Sequence, residues 1–224
     1  LLNDDELEDF LGVSEVKKAL HVKKGLFLQP PELKKKLLEN CFIKIILNEK
    51  FVSFTEEKNK VEVDFKSGLR KSYDALAVCT GKGLKDFNDN LKVSYGQMAG
   101  ISNKDLFNIK KPLNHQGYII PKVNGTNWIG STYEHSTDFK KENIEDKVKL
   151  NHAIFGKKGM SFEIQDLWEG ERVSAANNLP IASKIPGAKN IYCIGGLGSR
   201  GLSYAPFLAE IVSSAIQDKQ IPLG

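Results

Sequence analysis

The stretch Asn190-Ile-Tyr-Cys-Ile-Gly-Gly-Leu-Gly-Ser-Arg-Gly-Leu-Ser-Tyr-Ala-Pro206 decides how the rest of the chain is read. Asn190 to Ile194 is a short apolar run with strand composition, and a glycine-rich loop follows it. Beyond the loop, Leu208, Ile211, Val212, Ala215 and Ile216 fall at the spacing of one helical face. Gly196, Gly198 and Gly201 match the three-glycine dinucleotide pattern literally. That fold, however, needs a second parallel strand after the helix, ending in an acid ~20 residues on. The helix runs out near Gln217, so the strand has no room. The local physics survives: a glycine turn presents backbone N–H groups, and a helix N-terminus adds partial positive charge, a combination suited to an anion or developing negative charge. A plain tight turn would satisfy the same spacing.

Arg200 sits inside this loop, and Arg172 lies in Gly170-Glu-Arg-Val-Ser174, ahead of Ala176-Asn-Asn-Leu-Pro180. Of the 32 basic residues only Arg70, Arg172 and Arg200 are arginine. Where a bare positive charge suffices, this chain uses lysine. The planar guanidinium fork can grip a carboxylate with two parallel hydrogen bonds, which an ammonium cannot do. Arg172 and Arg200 are therefore candidates for positioning a carboxylate.

Further out, Asp4 to Leu20 reads as one or two short amphipathic helices, and Pro30-Pro31 opens a helix predicted over about 31–40. Cys41 to Leu47, Phe51 to Thr55, Val61 to Phe65 and Lys71 to Val78 read as four strands. Ala75 to Cys79, apolar on both faces, is expected to be a buried strand of a larger sheet, with Cys79 in the core. After Thr80-Gly81 the character changes. Leu91 to Ile101, Gly117 to Pro121 and Asn127 to Tyr133 read as strands of a β-rich insert, with a helix over Glu142 to Phe155. The outline is α/β elements at both ends and a mainly antiparallel middle.

Composition removes several classes. At 224 residues, 41% hydrophobic and 27% charged, the chain has the make-up of a globular protein, not a disordered or fibrous one. Its longest apolar runs fall far short of the ~20 residues that span a bilayer. Three cysteines, Cys41, Cys79 and Cys193, cannot all pair, so a reducing cytoplasm is the expected location. A net charge of +4 permits an RNA partner without arguing for one. His21, His115, His135 and His152 stand in no metal-ligand spacing, and no metal is expected. Lys34-Lys-Lys36 reads as a solvated helix face that could also touch RNA. Leu1 stands where methionine would open a complete chain, and a preceding segment is expected.

With both arginines in view, the whole chain resembles the C-terminal part of D-amino-acid-oxidase-type flavoproteins, most closely the tRNA-modifying branch. Gly25-Leu-Phe-Leu-Gln-Pro-Pro-Glu-Leu33 is similar to the family's segment entering a helix. Tyr73-Asp-Ala-Leu-Ala-Val-Cys-Thr-Gly81 is similar to the strand and Thr-Gly turn that return to the flavin. Ser94-Tyr-Gly-Gln-Met98, Gly117-Tyr-Ile-Ile-Pro121 and Trp128-Ile-Gly-Ser-Thr-Tyr133 resemble strands of its substrate domain. Gly170 to Ser174 with Leu179-Pro180, and Gly195 to Leu202 with Ala205-Pro206, resemble its last flavin-site segments.

This resemblance implies the C-terminal part of a Rossmann-like FAD-binding domain carrying an inserted, mainly antiparallel substrate domain. The corresponding bounds are 1–90 for the partial FAD-binding domain, 91–168 for the β-rich substrate domain and 169–224 for the return. The family's opening strand, glycine fingerprint and helix would lie before Leu1, as would the methyltransferase domain of the bifunctional members. FAD is implied as cofactor, with Thr80, Gly81, Gly195, Gly196, Gly198, Ser199, Gly201 and Leu202 lining its site. Weak FAD binding is expected without the fingerprint. Arg172 and Arg200 would hold the carboxylate of a glycine-like substrate, a carboxymethylaminomethyl group on the tRNA wobble uridine. Tyr118 and Tyr133 either line the substrate pocket or simply pack. A free glycine or sarcosine oxidase, and a flavin-free module that binds RNA or protein, are the alternative readings.

Overall fold

The computed structural model describes residues 4–11, 18–23, 25, 28, 30–39, 42–102, 107, 109–115, 117–123, 125–133, 144–156 and 159–218. These fall into two compact units, one from Leu1–Asn40 with Tyr95–Gly170, the other from Cys41–Ser94 with Glu171–Gly224. The units divide the chain differently from the bounds 1–90, 91–168 and 169–224, since residues 1–40 join the β-rich unit. The reason is helix α1, Asp4–Leu11, whose apolar stripe buries Leu7 and Leu11 in that unit's core. The Lys110 ammonium adds a 2.7 Å hydrogen bond to the Asp9 carbonyl.

The first unit is built on a five-stranded sheet. Its strands are β5, Leu91–Ile101; β6, Leu113–Asn114; β7, Tyr118–Val123; β8, Thr126–Gly130; and β9, Ile164–Ala175, in the spatial order β6-β7-β8-β5-β9. The paired residues Ala99, Ile129 and Ile119 form a row across three strands, each fully buried. Helix α3, Ile144–Phe155, covers this row with Ile144, Val148 and Phe155. Because side chains alternate along a strand, Met98, Tyr118, Ile120 and Trp128 emerge on the opposite face.

Two small sheets form the second unit. Strands β1, Phe51–Glu57; β2, Lys60–Phe65; and β3, Arg70–Tyr73 make an antiparallel meander. Strand β4, Leu76–Val78, runs parallel to β11, Ile191–Gly195, which pairs on its other side with β10, Ile181–Lys184. Val61, Val63, Val78, Leu84, Leu91, Ile191 and Cys193 share one core. The Glu56 carboxylate accepts the backbone N–H groups of Lys189 and Asn190, both at 2.8 Å, and so fixes the entry to β11. Helix α4, Gly201–Ile216, closes the unit, with Leu208 and Val212 as its buried residues.

Four expectations need correction. Lys71 to Val78 is not one strand: it breaks at Asp74-Ala75, and its halves join different sheets. Strand β4 pairs with β11 alone among the described residues, so it is an edge strand, and Ala77 is exposed. Cys79 lies just past its end and is exposed instead of core. Residues 42–47 form no strand, because among the described residues no strand pairs with them; Phe42 and Leu47 are 93% and 76% exposed. Cys41 and Asn40 fall outside the described residues. The predicted N-terminal helix covers Asp4–Leu11, residues 12–17 are outside the described set, and 18–20 are not helical. Helix α2, Pro30–Leu38, starts at the proline pair as expected.

Candidate functional site

In the second unit the glycine loop leaves β11 and enters α4 through a single 3-10 turn, Gly198–Arg200. Gly196 and Gly198 have φ of +68° and +55°, which a side chain would strain. A Cβ on Gly198 would also stand 2.6 Å from the Ser174 hydroxyl. The loop is held to β9 by a bridge between Ser174 and Leu197 and by the Ala175 N–H donating to the Gly196 carbonyl. Helix α4 begins with no side-chain cap. Its first-turn N–H groups, with the 16-residue helix dipole behind them, suit a negative group on a ligand.

Thr80-Gly81 belongs to the same unit and follows β4. Gly81 has φ +61°, and the space where its Cβ would stand is open. Lys82, directly after it, pairs with Glu171 at 2.8 Å and so ties this turn to β9. The second unit thus carries Thr80, Gly81, Gly195, Gly196, Gly198, Ser199, Gly201 and Leu202 on two turns that each follow a strand of the β4/β11 parallel pair. Sequence reading missed Lys82 and Glu171, since an isolated Lys or Glu carries no motif. It also missed the 12-residue β9 that supports them.

The three arginines separate by environment. Arg70 is committed: its Nε and Nη2 reach both Asp64 oxygens, at 2.5 and 3.1 Å, which holds the Asp64 carboxyl below its ordinary range. Arg200 is exposed, donates from Nη2 to the Asn178 carbonyl and lies 5.2 Å over the Tyr204 ring. Arg172 is half-buried on β9. The Ser174–Leu197 bridge sets their two segments side by side, two residues from Arg172 and three from Arg200.

In the first unit, the sheet face opposite the core forms an apolar trough of about 450 Å³. Met98, Tyr118, Ile120, Trp128 and Trp168 line it from the strands, and Leu28, Pro30 and Pro31 from the other side. Gly130 makes room: a Cβ there would meet both the Met98 and Tyr118 side chains at 2.8 Å. The Trp128 and Trp168 rings lie 5.4 Å apart at 60°. Tyr118 therefore lines a pocket, whereas Tyr133 is 44% exposed beyond β8 and does not line this trough.

His115 and His152 pack their rings against Phe155 and Phe162, and His21 packs against Phe10. His135 is outside the described residues. No cluster of metal-ligating side chains occurs among the described residues, and no helix among them is long and apolar enough to cross a membrane. The Cys79 thiol is pushed up from its ordinary pKa by desolvation and by the nearby Cys193.

Comparisons with known proteins agree with this layout. The chain is 27% identical, over 99% of its length, to the tRNA 5-methylaminomethyl-2-thiouridine biosynthesis bifunctional protein MnmC of Idiomarina loihiensis. It is 23% identical, over its full length, to the protein of the same name from Legionella pneumophila. It spans 38% of the length of each of these relatives. Among solved structures, it superposes on glycine oxidase from Bacillus cereus with a TM-score of 0.64 and 20% identity, covering 78% of this chain and 52% of that one. For glycine oxidase from Geobacillus kaustophilus the TM-score is 0.66 at 14% identity, covering 79% and 50%. These likenesses establish the fold, the mixed α/β architecture of FAD-dependent amine oxidoreductases. The model of the FAD dependent oxidoreductase (DAO) family matches residues 1–215, and the chain belongs to that family.

Proposed function

We propose that this chain is the oxidoreductase portion of a cytoplasmic tRNA-modifying enzyme that removes the carboxymethyl group from carboxymethylaminomethyl-(2-thio)uridine at the wobble position. The observation that carries the reading is the end-to-end match to relatives named for tRNA 5-methylaminomethyl-2-thiouridine biosynthesis. It is supported by an arginine-poor chain that sets Arg172 and Arg200 on adjoining segments. The residues fit a flavin: the space beside Gly81 is open where a Cβ would stand, the positive φ of Gly196 and Gly198 lets the loop turn tightly into α4, and that helix begins uncapped. FAD, when bound, supplies two-electron oxidation of a C–N bond.

The substrate group is an N-substituted glycine. Its carboxylate pairs with the guanidinium groups of Arg172 and Arg200, which fixes the α-carbon and restricts it to a reactive geometry. Loss of hydride from the α-carbon and of the amine proton gives an imine. Water then splits it into glyoxylate and the aminomethyl uridine. No side chain is needed as a dedicated base. The N-terminus of α4 would favour negative charge on a group held at the glycine loop. A methyltransferase domain in the same parent polypeptide would act on the aminomethyl product.

The test uses the polypeptide that carries this chain together with the family's dinucleotide-binding segment, loaded with FAD. Oxidation of the glycine unit on tRNA should be much faster than that of free glycine or sarcosine, because contacts remote from the reacting bond orient it. The rate at subsaturating tRNA should fall as salt rises, as lysine–phosphate contacts require. Equal efficiency on sarcosine would transfer the reading to a small-amine oxidase. RNA binding without any oxidation would leave only a binding module.

A further inference from the structure

Both tryptophans of this chain, Trp128 and Trp168, line the same trough. Trp168 is 52% exposed on a strand and buries little in the core, so its packing alone does not account for an indole there. Among the described residues no charged side chain lines the trough, and a bare glycine carboxylate would find no cation among them. Its volume of about 450 Å³ is in the range that takes a nucleotide-sized ligand and far exceeds what a glycine unit fills. Apolar and aromatic faces of this kind accept a flat, polarizable ring: Met98 supplies sulfur, Pro30 and Pro31 a rigid wall, and the indoles a stacking surface.

Charge completes the match. Helix α2 begins at those prolines and next presents Lys34 and Lys35, both exposed, while Lys36 is paired with Glu39 at 3.1 Å. A basic helix beside a stacking surface is the arrangement that holds an unpaired nucleotide: phosphates on the lysines, base on the aromatic ring. We propose that the Trp128–Trp168 trough receives an unstacked pyrimidine base of single-stranded RNA, with Lys34 and Lys35 on the flanking phosphates. The inference rests on the tRNA reading above and deepens it by naming where the RNA is gripped.

Because the chain has two tryptophans and both are in the trough, its indole fluorescence reports occupancy directly. The probe is an anticodon stem-loop RNA with uridine at the wobble position, and the control is a blunt RNA duplex of matched length. The stem-loop should quench the fluorescence saturably and the duplex should not. Trp168→Leu should weaken stem-loop binding roughly tenfold, the equivalent of one lost base stack, with Trp168→Phe restoring most of it. Lys34→Ala combined with Lys35→Ala should lower the slope of log affinity against log salt by about one to two. Equal quenching by the duplex, displacement of the stem-loop by sarcosine, or unchanged affinity in Trp168→Leu would each overturn the proposal. Its failure is separable from that of the proposed reaction. If tRNA is oxidised and Trp168→Leu leaves the KM for tRNA unchanged, the trough fails and the reaction stands. If the stem-loop binds as expected but the tRNA glycine unit is never oxidised, the reaction fails and the trough stands.

Discussion

Arg70 spends both arms of its fork on Asp64, so the carboxylate clamp is assigned to Arg172 and Arg200, whose segments the Ser174–Leu197 bridge sets side by side. Arg200 donates to the Asn178 carbonyl through one nitrogen, and its guanidinium lies over the Tyr204 ring. In the FAD-loaded enzyme, Arg172→Lys and Arg200→Lys should therefore keep charge and fold yet lose turnover. A hydrogen bond to a charged group is worth about 1.5 to 3 kcal/mol, or roughly one to two decades in rate. Single-turnover flavin reduction measures this, and wild-type rates in both variants would remove the carboxylate-clamp assignment. Cys79 gives a pH prediction. Although the residue is exposed, its thiol is partly desolvated by the surrounding chain and lies near Cys193, and both disfavour the thiolate and raise its pKa above the ordinary value of 9.0. At any pH below that, a smaller fraction is nucleophilic than in an unperturbed cysteine. Alkylation of the Cys79 peptide, followed by mass spectrometry, should reach half its maximal rate at a higher pH than in the urea-unfolded chain.

At the scale of elements, the glycine loop is fixed as much by what packs beneath it as by its own conformational freedom. A Cβ on Gly195 would stand 2.1 Å from a methyl of Leu84, itself 2% exposed. Gly195→Ala should cost about 1 to 3 kcal/mol through overpacking, and Leu84→Ala about 2 to 5 kcal/mol through the cavity it leaves. The two residues meet, so the double variant should cost less than the sum, a deficit that urea denaturation of all three proteins resolves. Full additivity would mean that the loop sits elsewhere in solution. The sequence made some of these elements plain and hid others for physical reasons. Strand β5 could be read to its ends because eleven residues of extended, largely apolar chain have few other uses. The glycine loop between β11 and α4 was legible because a strand, a turn and an amphipathic helix each have their own signal. Strand β9 was not, since Gln165-Asp-Leu-Trp-Glu-Gly-Glu171 sets its two apolar residues side by side between polar ones and is exposed on both faces, leaving no alternation to read. The stretch 42–47 misled in the opposite way: its residues favour a strand, but a strand exists only by pairing. The trough was beyond reach, because Trp128 and Trp168 are distant in sequence and meet only through the sheet.

For the molecule as a whole, the two turns proposed to line a flavin belong to a chain that spans about half the length of the glycine oxidase structures it superposes on. We expect this 224-residue chain to bind FAD weakly and the longer polypeptide to hold it stoichiometrically. The absorption spectrum of the purified chain measures this, and one bright yellow flavin per chain would show that these turns alone suffice. The parallel pair β4/β11 carries one more consequence, in the timing of synthesis. Leu76 and its register partner Ile191 are 115 residues apart, so the strand ahead of the Thr-Gly turn leaves the ribosome long before its partner is translated. Parallel pairings over such separations close late and slowly. Through that interval β4 remains uncovered nascent chain, a stretch that chaperones would engage. Nascent chains arrested with β9 emerged and Ile191 still inside the ribosome should therefore display a β-rich unit already protected from protease and a β4/β11 unit still open to it.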